Sequence, residues 1–258
     1  DLTRMIYLRA GSIRYYPYNE LASHVLGLTN ADGVGTYGLE AYYNNLLEGT
    51  SGRYVTAQDA LNHEMGFEYE TFIEAENGYN IVTTIDTYIQ YELENQLNAT
   101  VKENLANNRA TGIVMNVKTG AVLAMATSPG FDCNNPYELD KLSLAKLEKY
   151  DGSEEHTEDA KKLAENAVKS ENKDLSEESE EFAAKALAYY KDNRDELTAQ
   201  AYTNKKYELI YAMWKNKAIT ELYEPGSTSK IITTAMVFEE GVVSPSDMFT
   251  CVGALKVD

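Results

Sequence analysis

Ser227 and Lys230 stand three residues apart in Glu224-Pro225-Gly226-Ser227-Thr228-Ser229-Lys230. A serine hydroxyl is a weak nucleophile at neutral pH and needs a base within hydrogen-bond reach. A lysine amine is such a base when neutral, and burial or the positive end of a helix dipole pushes it that way. Three residues is close to one helical turn, so the pair shares a face if the segment is helical. Pro225-Gly226 reads as a turn. Ile231, Ile232, Ala235, Met236 and Phe238 then give an apolar helix that Gly241 can end. A helix starting here leaves backbone N–H groups free to hold a developing oxyanion. The chemistry on offer is acyl transfer, with Ser227 as nucleophile and Lys230 as general base. A bare S-x-x-K is also what a serine N-cap followed by a solvated lysine looks like, so the motif alone leaves both readings open.

The elements that must position this pair begin far upstream. Residues 81–85, Ile-Val-Thr-Thr-Ile, are β-branched throughout and read as a buried strand. Asp86 follows as a helix N-cap. Ile89, Leu93, Leu97, Val101 and Leu105 repeat every four residues, which predicts one long amphipathic helix. Two apolar runs, 112–117 and 121–126, flank Lys118-Thr119-Gly120 and predict a β-hairpin. From about 140 to 206 the chain is rich in Glu, Lys and Ala and has no proline. It reads as helices with polar outer faces, inserted into a domain, or else as a partly disordered linker. Phe182, Ala186, Tyr189 and Tyr190 suit one helical face; Ile210, Met213 and Trp214 suit another just beyond. Near the start, Leu39, Tyr42, Tyr43, Leu46 and Leu47 are spaced for a helix that Gly49 stops, and residues 50–80 read as short strands and turns.

Composition narrows the function classes. The 258 residues carry a formal net charge of −18, which repels phosphate backbones and argues against nucleic-acid binding. No apolar run is long enough to span a membrane. The start at Asp1, with no signal peptide, suggests a chain trimmed at its N-terminus. Two cysteines and three histidines make neither a disulfide framework nor a metal site, and no cofactor is expected. Gly33-Val34-Gly35-Thr36-Tyr37-Gly38 satisfies G-x-G-x-x-G, but Leu28-Thr29-Asn30-Ala31-Asp32 before it is turn-like, so the glycines serve tight turns. Asn98-Ala99-Thr100 has the glycosylation pattern but sits on the predicted helix. His24 reads as a packed histidine, and Cys133 and Cys251 as free thiols, although Cys251 has the alternative of a partner beyond Asp258.

Glu224 to Lys230 resembles the active-site serine segment of class B penicillin-binding proteins, and S-x-x-K is a motif of that wider group. Further pieces resemble the family in its order. Arg14-Tyr15-Tyr16-Pro17-Tyr18, residues 21–27 and residues 35–43 resemble its pedestal. Thr83-Thr84-Ile85-Asp86 with Gln90 resembles the start of its transpeptidase domain. Residues 116–126 resemble the first hairpin of that domain, with Ser128-Pro129 and Phe131-Asp132 as its continuation.

The resemblance implies an α+β fold. Residues 1–78 would be a piece of a β-rich pedestal of dimerisation type. Residues 79–258 would be the N-terminal part of a β-lactamase-like serine-transpeptidase domain, with the helical insertion at about 140–206. It implies a D,D-transpeptidase that cross-links peptidoglycan. Ser227 would attack the D-Ala-D-Ala amide of a stem peptide, and Lys230 would take its proton. β-Lactams would acylate the same serine. Cell-wall synthesis proteins would be partners, the insertion being either a solvated elaboration or a docking surface for one of them. The place of work would be the outer face of the cell membrane, with an N-terminal anchor. The family's S-x-N and K-T/S-G motifs belong after the serine, and neither occurs between Ser227 and Asp258; Lys118-Thr119-Gly120 precedes it and reads as a turn. The expectation is therefore a fragment with little activity of its own. The rival readings are a β-lactamase or D,D-carboxypeptidase, a β-lactam sensor domain, and a non-catalytic interaction module.

Overall fold

The structure is a computed structural model and describes residues 13–55, 71–106, 108–248 and 250. The chain divides into two compact units, residues 1–220 and 221–258. Among the described residues the fold is α+β, with three separate two-stranded antiparallel sheets and helices between and after them.

The centre of the first unit is a hairpin with a helix across it. Strands β5 (Ala110–Met115) and β6 (Val122–Ser128) pair antiparallel, as the two apolar runs predict. Lys118-Thr119-Gly120 lies in the connecting turn, where Gly120 takes φ +74° and its N–H donates to Asn116 O at 2.8 Å. Helix α4 (Thr87–Glu103) packs on both strands. Asp86 caps it, accepting from the N–H groups of Tyr88 and Ile89 at 3.0 Å each. The helix lies so close to β5 that a Cβ on Gly112 would come within 2.9 Å of Leu93 Cδ1. Leu105 falls outside the helix and is exposed.

Residues 81–85 correct the sequence reading: they form no strand, and Val82 to Thr84 are exposed. Residues 81–86 run past the outer edge of β6 and touch it twice. Thr84 Oγ1 donates to Val122 O at 2.6 Å, and Asp86 N donates to Leu123 O at 2.8 Å. The rest of that edge is taken by a side chain of α4, so a full ladder has no place to form.

The first segment is also less regular than its spacing suggests. Strands β1 (Leu28–Thr29) and β2 (Gly35–Tyr37) form a small antiparallel pair, so the stretch before the glycine cluster is a short strand as well as a turn. The helix expected over 39–49 breaks at Tyr43 into α2 (Gly38–Tyr42) and α3 (Asn44–Leu47). Asn44 explains the break, because its Oδ1 accepts from Gly35 N at 2.7 Å and draws the chain back to β2. Glu40 is buried there, where it accepts from Arg14 Nε at 2.7 Å. Strands β3 (Arg53–Val55) and β4 (Thr71–Ile73) pair antiparallel, as the strand-and-turn reading expects, and residues 56–70 lie outside the described residues.

Helices fill the stretch from 141 to 214. They are α5 (Lys141–Tyr150), α6 (Glu154–Glu171), α7 (Glu180–Asp192) and α8 (Arg194–Trp214). Asp140, Ser153 and Ser179 cap the first three. Ala160, Ala164 and Ala201 let α6 and α8 approach closely around Tyr190 and Leu197. Phe182, Ala186 and Tyr190 are buried on one face of α7, as their spacing predicts.

The helix α8 does not stop in this bundle. Its last turn, Ile210, Met213 and Trp214, enters a core shared with Tyr16, Leu28, Phe131 and Cys133. Polar contacts fasten both ends of the helical stretch. Arg109, buried beside β5, pairs with Asp140, and its other donors go to Pro129 O at 2.7 Å and Ser143 Oγ at 3.0 Å. At the far end Trp214 Nε1 donates to Pro136 O at 2.7 Å, and His24 Nε2 lies 3.0 Å from Met213 O. Among the described residues no helix is long and apolar enough to cross a membrane.

Candidate functional site

Ser227 lies in the second unit, which is described by itself. Pro225 holds φ −68° and ψ −21°, and Gly226 takes φ +53°, a left-handed conformation that side chains disfavour. The chain then makes one 3₁₀ turn (Gly226–Ser229) before helix α10 (Lys230–Glu239). The short helix α9 (Lys217–Thr220) ends the first unit just upstream. The sequence predicts a helix opening at Ser227; the α-helix begins three residues later. Thr228 N donates to Pro225 O at 3.0 Å and Ser229 Oγ to Gly226 O at 2.7 Å, and these bonds hold the turn tight. Gly241, φ +63°, follows the helix, and its N–H donates to Phe238 O at 3.1 Å.

The Lys230 N–H reaches Ser227 O, so the two residues are joined across one i,i+3 turn, the spacing that brings residues to the same side. Both are exposed, and among the described residues no hydrogen bond joins their side chains. Thr228 N and Lys230 N are taken up within the turn, so Gly226 and Ser227 carry its first N–H groups without an intrahelical acceptor, at the positive end of α10. The arrangement is that of a hydroxyl, an amine and backbone donors collected on a single turn.

The other sequence signals fall elsewhere. In the glycine cluster a Cβ on Gly35 would sit 2.0 Å from Glu40 O, so that position serves close backbone packing. His24 is buried, edge-on to Phe131 at 5.2 Å, and burial pushes it down to about 4 against the opposing pull of its Met213 contact. Cys133 is a buried free thiol, raised to about 12 by that burial; Cys251 lies outside the described residues. Among the described residues no three His, Cys, Asp or Glu side chains gather as a metal site.

Two polar positions carry structure that spacing did not disclose. Gln90 is fully buried; its Nε2 donates to Met125 O at 2.9 Å and its Oε1 accepts from Met125 N at 2.8 Å. Asn134 does the same for Tyr16, accepting from its N–H and donating to its carbonyl, each at 2.9 Å. Both side chains stand in for an adjacent strand.

Comparison with known proteins places these features. The family described as the penicillin binding protein transpeptidase domain matches residues 110–257, and the penicillin-binding protein dimerisation domain matches residues 2–83. The chain is 36% identical over 130 residues to the peptidoglycan D,D-transpeptidase FtsI of Buchnera aphidicola, covering 50% of this chain and 22% of that protein. It is 34% identical over 128 residues to stage V sporulation protein D of Bacillus subtilis, covering 49% of this chain and 20% of that protein. The chain thus spans about a fifth of the length of each relative. Among solved structures, penicillin-binding protein 2X of Streptococcus thermophilus is 31% identical, with 46% of this chain and 19% of that one covered and a TM-score of 0.36. Ser227 and Lys230 lie inside the matched transpeptidase stretch, and the chain belongs to the class B penicillin-binding proteins.

Proposed function

We propose that the whole protein is a D,D-transpeptidase of peptidoglycan, with Ser227 as its nucleophile and Lys230 as its general base. The observation that carries this reading is the placement of Ser227 and Lys230 one turn apart at the start of α10, within the stretch matched by the transpeptidase family. As Ser227 Oγ attacks the carbonyl carbon of the D-Ala-D-Ala amide, Lys230 accepts its proton. The C–N bond then breaks, the proton passes to the departing D-alanine amine, and an acyl-serine ester remains. The amine of a second stem peptide attacks that ester, gives up a proton and restores Ser227. The Gly226 and Ser227 N–H groups, which have no intrahelical acceptor, would suit the oxyanion formed in both steps. A β-lactam follows the first half only, because its broken C–N bond leaves the amine tethered.

The same reading makes residues 1–78 a piece of the pedestal and 79–258 the N-terminal part of the catalytic domain, with the helical insertion at about 140–206. It puts the protein at the outer face of the cell membrane among cell-wall synthesis partners. Intact-mass spectrometry of the whole protein with benzylpenicillin tests it. One covalent adduct, located on Ser227 and absent from Ser227→Ala, is expected. Lys230→Ala should slow its formation by at least about a hundredfold. No adduct, or an adduct that survives Ser227→Ala, overturns the assignment.

A further inference from the structure

Three dipeptides place an aspartate or asparagine just before a glycine: Asp32-Gly33, Asn77-Gly78 and Asp151-Gly152. In such a pair the glycine nitrogen can attack the side-chain carbonyl carbon and close a five-membered ring, since glycine has no Cβ to obstruct the approach. The structure separates the three. Gly33 N donates to Asn30 O at 3.0 Å, and Gly152 N donates to His156 Nδ1 at 3.1 Å. A nitrogen held in such a bond is fixed in place and gives up its proton less readily. Among the described residues Gly78 N has no acceptor, and the side-chain amide of the exposed Asn77 has no partner. The chain is pinned on either side of this pair instead. Thr50 and Glu76 exchange both N–H···O bonds, at 2.8 and 2.9 Å, and Tyr79 N donates to Leu46 O at 2.7 Å.

We infer that Asn77 is a site of spontaneous covalent modification, converted in the folded protein to aspartate and isoaspartate, and that the change loosens the tie between Thr50 and Glu76. Hydroxide takes the proton of Gly78 N, and the nitrogen attacks Asn77 Cγ. The bond from Cγ to the side-chain nitrogen breaks, and that nitrogen leaves as ammonia with a proton from water. The succinimide that remains binds Gly78 N to two carbonyl carbons of residue 77. Water cleaves one of those bonds. Cleavage at Cγ leaves aspartate; cleavage at the main-chain carbonyl leaves isoaspartate, with one extra carbon in the backbone. That carbon enters between the two pinned points, where there is no slack. A Cβ on Gly78 would lie 2.0 Å from Leu47 O, and one on Gly49 would lie 2.4 Å from Glu76 O. Either product also puts a new carboxylate beside Glu74 and Glu76, and like charges repel.

The test ages the whole protein in mildly alkaline buffer, folded and in urea, and follows each dipeptide by peptide mapping and isoaspartate-specific methyl transfer. Asn77 should deamidate in the folded protein within about tenfold of its rate in urea, whereas Asp32 and Asp151 isomerise more than about tenfold slower when folded. Asn77→Gln, which would need a six-membered ring, should lose the product at this position. A folded rate at Asn77 more than tenfold below the urea rate, equal protection at all three dipeptides, or a product at position 77 that persists in Asn77→Gln overturns the site. Hydrogen exchange reads the consequence. The amides of Thr50 and Glu76 should exchange at least about tenfold faster in the aged wild type than in aged Asn77→Gln. Equal exchange would overturn the loosening.

Discussion

His24 shows how much a single buried side chain can weigh. Its Nε2 contact with Met213 O joins the short helix α1 (Ser23–Leu26) to the last turn of α8. Burial lowers it from the ordinary 6.5 to about 4, with Arg109 and Lys217 adding to the effect and Asp140 opposing it. Between those two values the unfolded chain binds a proton that the folded chain refuses. Stability from this residue is therefore complete above pH 6.5 and is lost as the pH falls toward 4, by up to about 3 kcal/mol. His24→Gln can keep a donor toward Met213 O and cannot titrate. Urea melts at pH 7 and pH 5 should show a smaller pH difference in the variant than in the wild type; an equal difference would remove His24 from the acid response. That His24 is buried was legible from the apolar residues beside it. Its partner, 189 residues away, was not, because sequence patterns report neighbours along the chain.

Among the elements, local signals read true and edges did not. The Asp86 cap, the stripe of α4 and the hairpin around Gly120 follow from residue type and period. The candidate pair was legible for the same reason, since Ser227 and Lys230 are three residues apart on one turn. Residues 81–85 misled because β-branched residues state a preference but not whether a free edge exists. That edge is taken by Gln90, whose amide completes the outer side of β6 at Met125. The family resemblance marks Gln90, but periodicity alone does not separate it from a solvated position beside the stripe. Gln90→Leu would leave the Met125 N–H and C=O buried without partners, at a cost of about 2–4 kcal/mol. A guanidinium melt should show a lower midpoint with an unchanged slope, whereas an unchanged midpoint would mean that another group serves this edge.

At the scale of the molecule the helical stretch is the least obvious part. Composition marked it as an elaboration, and its outer faces are indeed charged. Yet α8, with 21 residues and about 31 Å of length, is continuous from the bundle to the shared core. The buried pair Arg109 and Asp140 secures the opposite end. A boundary drawn by composition at 206 cuts this helix, because composition tracks the solvated surface and not what the inner face touches. The consequence is practical for anyone shortening the protein. Splicing out 141–206 would leave 207–214 as an orphan of two turns, too short to stay helical without its neighbours. The spliced protein should appear mainly in the insoluble fraction, and any soluble portion should lack a cooperative melt. A soluble product melting like the parent would show the opposite, that these helices are ornament.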